Sequence, residues 1–382
     1  MKIGIFTNNY KPIISGLTES VESFREGLEK RGHKVYIFAP NFPGYKDENP
    51  NVFRFPSIDF KYKTQFPIAI TWDRGIFKKA KDLDLDIIHC QHPFNAGAAG
   101  LKFAKKLGVP AVFTNHTRYD IYTHFIPFLS QSFLKWYVKN TAANFANNCD
   151  MVIAPSESIK EIICEWGVKS PIEIIPTGVR MEQFKSANGR MVREKFGITD
   201  KDFLLLTVAR LALEKNVEFL VNVFAKISGN KGNLKFMIVG DGSDRARLEE
   251  IVRKKKIFDR VIFAGAVAHS EIGDYFKAGD IFMYASLSET QGIMTVEAMA
   301  SGIPVIAVKA QGAQDIITSG EDGILTANDE GEFAAELGKI IKDSDLRKKI
   351  SEKALKTAQE YSIENCAEKM AGVYESLIKN KK

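Results

Sequence analysis

Ile281-Phe282-Met283-Tyr284-Ala285, followed by Ser288-Glu289-Thr290-Gln291-Gly292-Ile293-Met294-Thr295-Val296-Glu297-Ala298-Met299-Ala300-Ser301-Gly302, decides how this chain folds. An apolar β-prone run, a polar turn, a helical stretch and a Gly302/Pro304 stop come in that order. The helix is expected to begin near Thr290 to Gly292. Its unpaired N–H groups and positive dipole end then face whatever lies above the strand, which is a ready anion site. Glu289 would stand at the lip of that site. Glu297 lies about two turns further at roughly 1.5 Å per residue, leaning back toward the helix start. One glycine, two acids and free N–H groups suit a ligand with both phosphate and hydroxyls. Taken alone, the same acids also read as a helix cap and a solvent-facing glutamate.

Working outward, the strand-then-helix unit repeats along the chain. Ile3 to Thr7, Lys34 to Ala39, Ile87 to Cys90, Ala111 to Thr114, Met151 to Ala154 and Ile172 to Ile175 are β-rich runs. Most are separated by helix-length segments such as Thr18 to Lys30 and Ala96 to Lys106. The second half continues with Leu204 to Val208, Phe236 to Val239, Val261 to Phe263, Ile281 to Ala285, Val305 to Val308 and Ile324 to Thr326, with helices including Val217 to Ile227 and Arg245 to Lys256. This is the βαβ pattern of parallel sheets. It predicts an α/β chain of two doubly wound, Rossmann-like domains, 1–179 and 180–362, with the polar stretch Arg180 to Gly189 as linker. Ligands of such sheets bind at the carboxyl ends of strands.

Length and composition agree. At 382 residues the chain is too long for one core, and 45% hydrophobic with 26% charged residues is that of a globular protein. No run approaches the roughly 20 apolar residues of a membrane span, and Met1-Lys2-Ile3-Gly4-Ile5 enters a strand instead of a signal peptide, so a cytoplasmic protein is expected. Cys90, Cys149, Cys164 and Cys366 show no CxxC pairing and read as free thiols. Of the net charge of +6, residues 1–179 hold +5, from 22 Lys/Arg against 17 Asp/Glu. A mild basic excess of that kind suits anionic lipid or phosphate ligands. Nucleic acid is not expected, because no basic run interleaved with aromatics and no reader motif is present.

Several motifs lie at predicted strand ends. The first strand leads through Asn8 to Ser15 into Gly16, where a missing side chain lets a ligand approach a helix start. It is not a dinucleotide fingerprint; the nearest match, Gly240-Asp241-Gly242, has Arg245 where a third glycine belongs. His116 closes another strand in Asn115-His116-Thr117-Arg118-Tyr119 and can donate or relay a proton, or sit satisfied in the core. Tyr119, Tyr122, Phe125, Phe128, Phe133, Trp136 and Tyr137 crowd nineteen residues, with Lys135 and Lys139 nearby. That pattern is expected of a segment at an anionic membrane surface, and is also compatible with a helix packed into its own domain. Arg210 ends a strand and Lys215 follows five residues later, so both cations can converge on a diphosphate beside Gln291-Gly292. Two other clusters carry less. Asp82-Leu83-Asp84-Leu85-Asp86 contains Asp-x-Asp but precedes its strand, at the wrong sheet end for a metal-held ligand. His89-Cys90-Gln91-His92 alternates faces, and a structural zinc is not expected.

Arg210 and Lys215, with Glu289 and Glu297 separated by seven residues, resemble the signature of retaining GT-B glycosyltransferases, specifically glycosyltransferase family 4. Gly16, His116 and Val239-Gly240-Asp241-Gly242 extend the resemblance over nearly the whole chain. It implies two Rossmann-like domains facing across a cleft, and a last helix, 363–382, returning to the first domain. The donor would be a nucleotide sugar: Arg210 and Lys215 hold the diphosphate, Glu297 the ribose, and Glu289 with the backbone of Gln291, Gly292 and Ile293 the sugar. Gly240 and Asp241, in the nucleotide domain's turn, would also bind the donor. His116 would lie beside the sugar and Gly16 near the leaving phosphate, and the catalytic residues would be His116, Arg210, Lys215 and Glu289. Asn115 to His124 and Ser288 to Gly292 look most like monoglucosyldiacylglycerol synthases and related lipid glycosyltransferases.

A retaining transfer by double displacement needs a carboxylate nucleophile and a second acid roughly 5 Å apart. Here both acids are committed to binding. The resemblance implies a front-face route, in which the leaving diphosphate takes the acceptor's proton. Two cations and a helix dipole stabilise its charge, so no metal or other cofactor is expected. The resulting expectation is transfer of an α-linked hexose, glucose from UDP-glucose, to a diacylglycerol-like lipid by a peripheral enzyme on the inner membrane face. A soluble glycan or small polyol acceptor is the alternative within the same chemistry. A non-catalytic nucleotide-sugar or membrane-binding module is the alternative of another class.

Overall fold

The computed structural model describes residues 1–13, 15–58, 67–121, 130–229 and 232–381. The chain forms two units: unit 1 comprises Met1–Gly178 with Ile363–Lys382, and unit 2 comprises Val179–Ser362.

Unit 1 contains β1 (Lys2–Phe6), β2 (Lys34–Pro40), β3 (Val52–Phe55), β4 (Ser57–Ile58), β5 (Ile68–Ala69), β6 (Ile87–Cys90), β7 (Ala111–Thr114), β8 (Met151–Ala154) and β9 (Ile172–Ile174). Seven form a parallel sheet in the order β3-β2-β1-β6-β7-β8-β9, while β4 and β5 pair antiparallel. Strands such as Ile87-Ile88-His89-Cys90 are buried throughout, because helices cover both faces of a parallel sheet. Alternation divides the core between those faces: Ile3 and Ile5 join Val35, Ile37, Phe24 and Leu28 on one. Phe6 stacks on Phe38 on the other, with ring centroids 4.4 Å apart. The helix Gly16–Lys30 starts at Ser15, whose Oγ accepts from the Thr18 N–H at 3.2 Å, satisfying one of the orphan donors of the first turn. Its start is two residues earlier than periodicity indicates, since Gly16 and Leu17 offer little amphipathic signal.

The helix Ile363–Lys381 belongs to unit 1 and lies along Gly16–Lys30. Cys366, Ala367, Met370, Ala371 and Tyr374 share a core with Val21, Phe24 and Leu28. The fully buried Tyr374 hydroxyl meets His89 Nδ1 at 2.6 Å, and His89 Nε2 meets Thr114 Oγ1 at 2.6 Å, so an imidazole in the middle of the sheet is satisfied on both sides.

Unit 2 contains β10 (Phe203–Val208), β11 (Leu234–Val239), β12 (Val261–Gly265), β13 (Ile281–Tyr284), β14 (Val305–Val308) and β15 (Ile324–Thr326), parallel in the order β12-β11-β10-β13-β14-β15. Successive strands run outward one way from β10 and then the other way from β13. The crevice between these two is a topological switch point, where such sheets take ligands. In unit 1 the corresponding point lies between β1 and β6.

Two differences from the sequence reading have simple causes. β3, β4 and β5 were not anticipated: β3 is a half-buried edge strand with Arg54 in its middle, and β4 and β5 are two residues each. The stretch Arg180 to Gly189 is not a linker, since it carries the helix Met181–Lys185, whose Met181 and Phe184, three apart, enter the core of unit 2.

Candidate active site

In unit 2 the sequence-selected residues collect on the two strands that flank the switch point. β10 delivers Arg210 and, after the one-turn helix Leu213–Lys215, Lys215; β13 delivers Ser286 to Gly292 and then the helix Ile293–Ala300. Adjacent strands thus bring Lys215 and Glu289 together across 74 residues, and Lys215 Nζ pairs directly with Glu289 Oε1. The same oxygen accepts from the Tyr284 hydroxyl at 2.7 Å and the Ser286 hydroxyl at 2.9 Å. Burial pushes the Glu289 carboxyl up, but the Lys215 charge and these donors outweigh it and hold the group below its ordinary value. Glu289 is therefore an anion with three fixed donors. Arg210 pairs with Glu214 at 2.7 Å and is largely exposed.

Glycines set the backbone beneath these charges. Gly240 has φ of +127°, and a Cβ there would lie 1.9 Å from the Ala209 carbonyl oxygen; one on Gly242 would lie 2.2 Å from that of Leu211. Bare glycines let the turn close on the loop carrying Arg210, sealed by Leu211 N–H to Asp241 carbonyl at 2.9 Å. The Asp241 carboxylate accepts from the Gly242 N–H at 2.7 Å and pairs with Arg245 at 3.1 Å, so its part in the structure is to brace the turn. Gly292 caps the helix Ile293–Ala300 at φ of +75°. Gly312, at φ of +88°, packs against it so closely that a Cβ would sit 2.7 Å from Glu289 Cβ and 2.9 Å from the Gly292 nitrogen. Gly312 lies beyond the motif and escaped sequence reasoning. In the helix's first turn the Thr295 hydroxyl, like that of Ser288, is buried without a hydrogen-bond partner.

Glu297 is 1% exposed, in the helix's second turn. Its Oε1 lies 3.5 Å from Nε2 of His269, a second residue the sequence did not single out. Gln291 is buried beside Glu289, and Ile293 opens the helix.

In unit 1, His116 follows β7 and its Nε2 meets Gln91 Oε1 at 2.6 Å. An oxygen acceptor requires Nε2 to carry the proton, leaving Nδ1 as an acceptor. Burial pushes this imidazole down to about 4, so it is neutral at ordinary pH. Gly16 is the first residue of its helix, and a Cβ built there meets nothing within 4 Å, so packing does not demand glycine. Of the aromatic segment, Tyr122, Phe125 and Phe128 lie outside the described residues. Tyr119 packs inward, edge-on to Phe94 at 5.4 Å. Phe133, Trp136 and Tyr137 instead stand out from the helix Gln131–Ala146, each more than half exposed, clustered on one another, with Lys135 exposed and Lys139 half-buried beside them.

The acidic and His/Cys clusters fall where spacing puts them. Asp84 pairs with Lys2 at 3.3 Å, and Asp86 takes the Lys2 N–H at 2.7 Å, at the amino ends of β1 and β6. His92 Nδ1 takes the Asn8 N–H at 3.2 Å while His89 bonds to Tyr374 and Thr114. Among the described residues no group of three His, Cys, Asp or Glu is placed to hold a metal, and no helix is long and apolar enough to cross a membrane.

Two doubly wound α/β units, the second with cations and acids at its switch point, define the GT-B class of glycosyltransferases. The chain belongs to glycosyltransferase family 4: that family's model matches residues 14–183, and the model for group 1 glycosyl transferases matches residues 190–357. It is 33% identical to the alpha-monoglucosyldiacylglycerol synthase of Streptococcus pneumoniae, over the whole chain and 87% of that protein. It is equally 33% identical to the synthase of that name from Acholeplasma laidlawii, over the whole chain and 99% of that protein. Among solved structures it resembles Anabaena HepE in complex with UDP-glucose, with a TM-score of 0.77 at 20% identity over 99% of this chain and 100% of that one. The protein is a glycosyltransferase.

Proposed function

We propose that the enzyme transfers an α-linked glucosyl group from UDP-glucose to a diacylglycerol-like lipid, with retention of configuration, at the inner face of the membrane. The observation that carries the donor half is the Lys215–Glu289 pair at the switch point beside the helix start at Gly292. Arg210, Lys215 and the free N–H groups of Gly292 to Met294 hold the diphosphate. The buried Thr295 and Ser288 hydroxyls are available to the same ligand. Glu289, kept ionised, accepts hydroxyls of the sugar once Lys215 turns to phosphate, and Glu297 accepts those of the ribose. The bond from sugar C1 to the diphosphate oxygen breaks and the acceptor oxygen bonds C1 on the same face. The acceptor's proton passes to a leaving phosphate oxygen. Stabilisation is electrostatic, applied where charge grows on the leaving group, without an obligatory metal. In unit 1, the neutral His116 offers Nδ1 as an acceptor, and the open edge at Gly16 leaves room for phosphate. The names of the two 33% relatives favour glucose and diacylglycerol.

The acceptor half rests on the exposed Phe133, Trp136 and Tyr137 with their lysines, which suit an anionic bilayer. The test is UDP release from UDP-glucose with vesicles of dioleoylglycerol and phosphatidylglycerol. Release should require the diacylglycerol. The double variant Phe133→Ser, Trp136→Ser should weaken vesicle binding about tenfold or more, at roughly 1.5–3 kcal/mol for each large apolar side chain fully withdrawn from the bilayer. Equal turnover on a soluble sugar acceptor without vesicles would refute the lipid assignment and favour a glycan or polyol.

A further inference from the structure

Glu297 carries a carboxyl group into the interior of unit 2. Its side chain is 2% exposed, and a carboxylate removed from water is costly unless a counter-charge or donors meet it. One such group comes from outside the motif. His269 opens the one-turn helix His269–Glu271 after β12, with Nε2 3.5 Å from Glu297 Oε1. The ring is 28% exposed, so the imidazole covers the acid and not the reverse. The turn is anchored from behind, because Gln183 Nε2 donates to the His269 carbonyl from the helix Met181–Lys185.

We propose that His269 is a positioning residue for the donor's ribose: donating from Nε2 to Oε1, it fixes the Glu297 carboxylate so that the group can meet two vicinal hydroxyls. This rests on the ribose role of Glu297 given above. A carboxylate offers about four acceptor sites, so an imidazole and a diol can share it. Without the imidazole the carboxylate loses a contact that fixes its orientation toward a diol. Loss of His269 should therefore weaken ribonucleotides more than analogues that lack one of the two hydroxyls.

Calorimetric titration of the full chain with UDP and 2′-deoxy-UDP, and with GDP and 2′-deoxy-GDP, tests this. The wild type should favour the ribonucleotide by about tenfold or more, the scale of a hydrogen bond to a charged group. In His269→Ala the ratio should fall to within about threefold of unity, with the 2′-deoxynucleotide, which keeps its 3′-hydroxyl, weakened less than the ribonucleotide, and His269→Gln, which keeps an N–H donor, should recover most of the ratio. Full discrimination retained in His269→Ala, or equal weakening of both members of a pair, overturns the role of His269. A wild type that binds ribo- and deoxynucleotides alike, or binds neither base, instead removes the ribose assignment of Glu297.

Discussion

The two sheets share a winding order yet end in opposite chemistry. Beside β6 and β7, unit 1 gathers neutral imidazoles, His116 against Gln91, with burial holding His89 and His92 at about 3 and His116 at about 4, and one ion pair, Arg118 with Asp120 at 2.9 Å. Beside β10 and β13, unit 2 presents ion pairs: Lys215 with Glu289 and Arg210 with Glu214. One architecture therefore carries neutral buried imidazoles at one edge and a lysine–glutamate pair suited to a diphosphate at the other. The winding supplies the edge, and the few residues at the strand ends decide what it takes.

Acid should separate the two units most strongly. An imidazole's unfolded value, near 6.5, lies above the native values of His89, His92 and His116. As pH falls the unfolded chain takes up protons first, so stability is lost from about 6.5 downward until the native groups protonate at about 3 to 4. At pH 5 the cost is on the order of 2 kcal/mol for each imidazole. Unit 2 carries one histidine, His269. Hydrogen exchange at pH 5, corrected for intrinsic rates, should show β1, β6 and β7 opening before β10 and β13. Equal loss in both units would break the contrast.

Next in size, Lys215→Ala removes a cation from the charged edge. Turnover with UDP-glucose and diacylglycerol vesicles should drop by about 10²–10³, the scale of about 3 kcal/mol for one donor aimed at developing charge. Near-normal turnover would mean that the diphosphate is held elsewhere. Smaller still, a glycine pair sharpens the comparison. Gly312→Ala forces a Cβ into Glu289 and Gly292 at positive φ and should cost about 1–3 kcal/mol, read as a lower thermal midpoint. Gly16→Ala meets open space and should leave the midpoint within about 0.5 kcal/mol. Its turnover should nevertheless fall, since the side chain occupies room assigned to phosphate. Unchanged turnover in Gly16→Ala removes Gly16 from the site.

Much of this was legible in the chain, and what was not had physical reasons. The strands of both sheets beside the switch points announce themselves as short Val/Ile/Phe runs, because burial on both faces leaves little room for polar residues. The Asp241–Arg245 pair lies at helical spacing. By contrast, β3 with Arg54 at its centre has no such signature. His269 and Gly312 reach the site from the turns after β12 and β14, and no local spacing records that a turn 28 residues before Glu297 folds over it. The sequence reading assigned both Lys215 and Glu289 to the donor; the fold makes them partners of each other, because opposite charges on neighbouring strand ends pair when both are largely shielded from water.

The last helix carries a consequence for synthesis. Residues 179–362, which build unit 2, are made before Ile363–Lys381, yet that helix completes the core of unit 1. A ribosome therefore emits the first 178 residues with Val21, Phe24 and Leu28 uncovered and His89 without Tyr374, and must translate an entire second unit before the missing piece arrives. During that interval the nascent chain displays an apolar groove of the kind that chaperones hold. A stop codon after Gly178 would yield an unfinished half and not an isolated domain.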